Sequence, residues 1–112
     1  MDGRCIADEC LSSTGFSYTL SLINGKYKMT ILYTLMEFKV VRFNELKKYI
    51  GTISYKTLSA ALKELEADRL VRRREYPQIP PKVEYSLTER GESLIPILDA
   101  LCEWGEKNRP AG

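Results

Sequence analysis

RLVRRREYPQIPPKVEYSLTERG, residues 69–91, decides the fold. Two strand-like runs lie within it, Leu70–Tyr76 and Val83–Leu87. Pro77, Pro80 and Pro81 stiffen the tip between them, because each ring fixes its own φ. Arg72, Arg73 and Arg74 load the first run with charge, and Lys82 lies at the tip. Side chains alternate along a strand, so Arg72 and Arg74 share one face while Arg73 joins Val71 on the other. Just upstream, Ser54–Asp68 reads as an amphipathic helix capped by Ser54. The helical period puts Leu58, Ala61, Leu62 and Leu65 on one side. Lys56, Ala60, Lys63 and Ala67 fall opposite, with Tyr55 and Ser59 on a flank. A helix followed by a basic hairpin with a stiff tip is the arrangement of a winged helix. The helix enters the major groove and the hairpin touches the neighbouring backbone.

The residues upstream supply the rest of such a domain. Phe16, Leu20 and Ile23 mark a first short helix that stops at Asn24-Gly25. Lys26–Phe38 is predicted as a second, with Tyr27, Ile31, Leu35 and Phe38 on one stripe. Val40, Val41 and Arg42 suggest a short strand. Asn44–Ile50 suggests a third helix, with Phe43, Leu46 and Ile50 inward and Gly51 as its stop. After the hairpin, Thr88 is expected to cap one long C-terminal helix, with Glu89 in its first turn. Pro96 falls inside that helix and should kink it.

Bulk composition narrows the function. The chain has 112 residues, one domain's worth, with 29% charged and 44% hydrophobic residues. The net charge is only +2, so any affinity for nucleic acid must come from local clustering. Histidine is absent, which removes the usual general base and a common metal ligand. No phosphate-binding glycine loop and no paired CxxC motif occurs. These features argue against an enzyme, a metal site or a cofactor. The three cysteines, Cys5, Cys10 and Cys102, cannot all pair within one chain. The N-terminus lacks an apolar run of the secretory kind, and no segment is long enough to span a bilayer. A cytoplasmic protein without membrane contact is expected.

The outward helix face suits groove entry. Lys56 and Lys63 can reach phosphates or guanine acceptors, Ser59 a base edge, and Ala60 a thymine methyl. Thr57 can bond a phosphate beside the free N–H groups of the first turn. Arg42, Ser54, Tyr55, Arg72, Arg73, Arg74 and Lys82 complete the expected contact set for double-stranded DNA.

The chain resembles the HxlR-type winged-helix transcription regulators. The resemblance rests on LSLINGKYKMTIL at 20–32, RFNELKKYIGTIS at 42–54, TLSAALKELEADRLVRR at 57–73 and YPQIPPKVEYSLTERG at 76–91. The tail from Leu94 through Trp104 matches as well. The resemblance implies a homodimeric, cytoplasmic, bacterial-type DNA-binding regulator. It implies that the helix at 54–68 reads the major groove and that the terminal helices make the dimer. Many relatives carry a cysteine eleven residues before the glycine of the GKW motif. Here Thr14 stands at that position and Tyr27 replaces the tryptophan. The family's usual thiol sensing therefore does not carry over, although Cys5 or Cys10 could serve a redox role of their own. Cys102 is expected to pack as a small hydrophobe.

The expected class is α+β, mostly helical: a winged helix-turn-helix with extra N- and C-terminal helices forming a dimer interface. Residues 1–15 are expected as a flexible arm, 16–107 as the DNA-binding domain, and 108–112 as a disordered tail. Phe16, Tyr18, Leu22, Leu94, Ile97, Leu98, Leu101 and Trp104 offer more apolar surface than one domain needs, which suggests a two-fold partner. Two recognition helices about 34 Å apart would then read an inverted repeat. Two alternatives stay open: a winged helix that binds a protein surface instead of DNA, and a thiol-based redox regulator. The operator, the regulated genes and any small-molecule effector are left open.

Overall fold

The computed structural model describes residues 11–111. Thr14 starts helix α1, Gly15–Ile23, by accepting the Ser17 N–H on its hydroxyl at 3.1 Å. Helix α2, Lys28–Phe38, contributes Ile31, Leu32, Leu35 and Met36 to the core. A short strand β1, Val40–Arg42, leads into α3, Phe43–Ile50. The Glu45 carboxylate accepts the Arg42 N–H at 2.9 Å and so fixes where α3 begins. Gly51 ends α3 at φ 80°, a conformation that glycine adopts without a Cβ penalty.

Helix α4, Tyr55–Ala67, buries Leu58, Leu62 and Leu65 against α2 and the sheet. Each such leucine stabilises the fold by roughly 2 kcal/mol. The helix closes with paired bonds from the Leu70 N–H to the Leu65 carbonyl and from the Arg69 N–H to the Glu66 carbonyl. Arg69 is left-handed at φ 61°, and Leu65 and Leu70 are both buried. That combination reverses the chain into the hairpin. Strands β2, Val71–Tyr76, and β3, Lys82–Leu87, pair antiparallel, and β1 adds to the other edge of β3. The register sets Arg73 opposite Tyr85 and Val71 opposite Leu87. Val41, Val71, Tyr85 and Leu87 therefore line the core side of the sheet. Two helices follow, α5 at Glu89–Glu92 and α6 at Ile95–Asn108.

The architecture is the expected α+β winged helix, with departures in detail. Helix α2 begins two residues later than predicted and α3 one residue earlier. Pro96 does not kink a continuous C-terminal helix. Thr88 does cap, accepting the Gly91 N–H at 3.0 Å, but α5 stops at Glu92 and Pro96 sits in the first turn of α6. A proline ring would strike the carbonyl four residues back, whereas a helix start needs neither that carbonyl nor the missing N–H. Phe38 leaves the core stripe and stacks on Tyr49 with ring centroids 4.4 Å apart. Cys102 is exposed rather than packed. It borders an open groove with Met29, Thr30, Tyr33, Leu98 and Leu101.

Candidate nucleic-acid interface

The outward face of α4 begins at its cap. The Ser54 hydroxyl accepts the Thr57 N–H at 3.1 Å and donates to the Thr57 hydroxyl at 2.9 Å. Thr57 thus keeps its own hydroxyl proton free to donate outward. Tyr55 stands exposed beside this turn. The ring of Phe43 meets it edge-on at 6.0 Å, and Lys47 Nζ lies 5.0 Å from its centroid. The aromatic body is therefore braced by α3. Lys56, Thr57, Ala60 and Lys63 are all exposed, while Ser59 is half-buried. On the same helix Glu64 is drawn back by Lys28, whose ammonium is 2.6 Å away and whose residue is only 8% exposed.

The hairpin distributes its cations over both faces. Arg73 shares a depression with Ser59, Lys63, Glu66, Val83 and Tyr85, between α4 and the wing. Its guanidinium lies 3.0 Å from Glu75, and Tyr85 is its cross-strand neighbour. The Tyr85 hydrogen bond first, and Glu75 second, hold its pKa above the usual arginine value. Arg42 and Lys82 border a second depression with Phe43, Asn44 and Pro81. Lys82 sits 3.3 Å from Glu84 and 4.6 Å from the Tyr76 ring. Arg74 lies 4.9 Å from the same ring. The Tyr76 hydroxyl donates to Glu84 at 2.9 Å, and this bond leads the influences that keep the Glu84 carboxyl below its ordinary range. Arg72 points elsewhere, bordering a hollow with Leu35, Lys39, Ser86 and Ile95 on the reverse of the sheet.

The residues expected at a dimer interface divide in two. Leu98 is 5% exposed, and Leu22 and Leu94 pack against the same core. Phe16, Tyr18, Ile97, Leu101 and Trp104 remain exposed, Phe16 at 75% and Trp104 at 69%. Cys5 and Cys10 lie outside the described residues. Among the described residues, no three His, Cys, Asp or Glu side chains gather to hold a metal ion. No helix among them is long and apolar enough to cross a membrane.

The pattern of the HxlR-like helix-turn-helix proteins matches residues 22–112. The chain belongs to that family. An HxlR-like chain of this kind is a helix-turn-helix transcriptional regulator, not an enzyme. It is 65% identical over 99 residues to an uncharacterized HTH-type transcriptional regulator of Halalkalibacterium halodurans, covering 88% of each chain. It is 54% identical over 90 residues to the HTH-type regulator YdzF of Bacillus subtilis, covering 80% of this chain and 83% of YdzF. Among solved structures, the redox regulator HypR in its reduced form superposes with a TM-score of 0.81 at 45% identity. That match covers 86% of this chain and 94% of HypR.

The HxlR-like surface includes residues that the sequence reading passed over. Lys47 and Phe43 were available as a pair four apart on α3, the spacing that places two side chains on one helix face. Phe43 read only as core. Tyr85 read only as a strand residue, although its position opposite Arg73 follows from the hairpin register. Arg90 carried no local signal, because its partners lie 22 and 72 positions away in sequence.

Proposed function

We propose that this regulator binds double-stranded DNA as a homodimer and reads an inverted repeat. Helix α4 enters the major groove, with Lys56 and Lys63 on phosphates or guanines and Ser59 and Ala60 toward base edges. Ser54, Tyr55 and Thr57 grip the backbone at the helix start, where unpaired N–H groups favour an anion. Arg73, Arg74, Lys82 and Arg42 meet the flanking phosphates from the wing side. The observation that carries this reading is the exposed α4 face converging with Arg73 on one depression. Membership in the helix-turn-helix family supports the same partner. Residues 16–107 form the working domain in this proposal, preceded by an arm and followed by a short tail.

The test is selection of genomic DNA fragments by the purified, reduced protein at physiological salt. Recovery of an enriched inverted repeat is the expected result. A pool without any enriched motif would contradict it and favour a protein partner for the same face. The likeness to a protein described as a redox regulator supports one further reading, thiol control of DNA binding through Cys5 or Cys10. There, oxidation should change affinity in the unaltered chain but not in a Cys5→Ser, Cys10→Ser variant. Equal responses of the two proteins would dismiss it.

A further inference from the structure

Beyond α4, the chain presents three carbonyl oxygens in succession, at Asp68, Arg69 and Leu70. All three are bonded by the turn that starts α5. The Thr88 N–H donates to Leu70 at 3.1 Å, and its hydroxyl donates to Arg69 at 2.6 Å. Arg90 Nε donates to Asp68 at 3.1 Å. A guanidinium is well placed there, because a helix C-terminus carries the negative end of the backbone dipole. A second nitrogen of the same guanidinium reaches away from α4. Arg90 Nη2 donates to the Tyr18 hydroxyl at 2.7 Å. Tyr18 belongs to α1, a helix with no fully buried residue, whose Leu22 and Ile23 reach only the margin of the core. One side chain therefore touches both a lightly anchored terminal helix and the end of α4.

We infer that Arg90 is a positioning residue for DNA binding. It carries displacements of α1 to the C-terminal end of α4, through the Tyr18 hydroxyl on one side and the Asp68 carbonyl on the other. The inference rests on the reading of α4 as the recognition helix. A planar guanidinium can hold two oxygens on two of its nitrogens in a fixed geometry, which the single ammonium of a lysine cannot reproduce. At 13 residues, α4 is a rigid rod about 20 Å long. A change of tilt imposed at Asp68 therefore moves Tyr55 and Lys56 at the far end.

A double-mutant cycle on DNA affinity tests this, read by fluorescence anisotropy on the labelled duplex recovered in the selection above. Tyr18→Phe keeps the ring and removes one oxygen. Arg90→Lys keeps the charge and removes the fork. Each is expected to weaken binding about fivefold. The double variant should be no weaker than either single one, since both cut the same link. Tyr18→Phe should leave the unfolding midpoint and the sedimentation coefficient unchanged. Unaltered affinity in both single variants, or losses that add, would overturn the coupling. So would a loss in Tyr18→Phe that follows a lower midpoint or a dissociated dimer. Lys63→Ala separates the two ideas. If it weakens binding while Tyr18→Phe and Arg90→Lys do not, α4 reads DNA and the coupling alone fails. If none of the three matters, the recognition-helix reading fails and the coupling falls with it.

Discussion

At Gly91, an added Cβ would stand 2.1 Å from the Leu70 carbonyl oxygen. That oxygen already accepts the Thr88 N–H, so it cannot retreat without breaking a buried bond. Gly91→Ala should therefore destabilise the fold by about 3 kcal/mol, the upper end for overpacking. Thermal unfolding followed by circular dichroism should show a midpoint lower by roughly 10 °C for a domain of this size. A shift within the noise would mean that the turn relaxes freely. Glu84 gives a second prediction at this scale. Its carboxyl is held below the ordinary 4.5, first by the Tyr76 hydroxyl and then by Lys82. A carboxyl with a depressed folded-state pKa contributes stability that is present above its unfolded value and lost as pH falls through its folded one. Urea unfolding should thus lose stability below pH 4.5, and Glu84→Gln should flatten that part of the profile. Identical profiles for the two proteins would remove Glu84 from the account.

At the scale of elements, the sheet sorts the arginine run. Arg73 faces α4, whereas Arg72 lies on the reverse beside the end of α2. Lys63→Ala and Arg73→Ala should each lower the salt dependence of DNA binding by about one unit, the value of one lost phosphate contact. Arg72→Ala should leave the slope unchanged. A slope that responds to Arg72 and not to Arg73 would move the wing's DNA contact from the α4 side to the strand end beside α2. This alternation was legible in advance, because strand geometry fixes which arginine joins Val71. The leucine face of α4 was legible for the same kind of reason, a period set by the backbone. Pro96 was not, since a proline within a helical pattern is compatible with both a kink and a restart. What decides is whether residues 92–95 can leave the helix, and Ser93 and Leu94 do so. Phe38 and Cys102 misled for another reason. Periodicity marks apolar stripes but not where the opposing surface ends, and both side chains lie past that margin. Arg90 was beyond reach because its bonds join three elements that only the tertiary fold brings together.

At the scale of the whole molecule, the terminal helices pose a question that the single chain does not answer internally. Leu98 is committed to the core, while Ile97, Leu101 and Trp104 on the same helix meet solvent, as do Phe16 and Tyr18 on α1. Leaving that much aromatic and aliphatic surface in water is costly, and a second copy would cover it. The two groups of residues should respond differently to substitution. Leu98→Ala opens a cavity and should lower stability by roughly 2–5 kcal/mol. Leu101→Glu adds charge where the side chain is already half exposed, so the folded chain should keep its unfolding behaviour as a monomer. In the proposed dimer the same glutamate would be buried without a partner, which a close-packed interface does not tolerate. Sedimentation should then find a monomer. Because two linked half-sites bind far more tightly than one, affinity for an inverted repeat should fall by at least about a hundredfold. Affinity for an isolated half-site should change little, since α4 and the wing are untouched. If Leu101→Glu remains a dimer with full affinity, the partner surface lies elsewhere and the exposed face of α6 has another use.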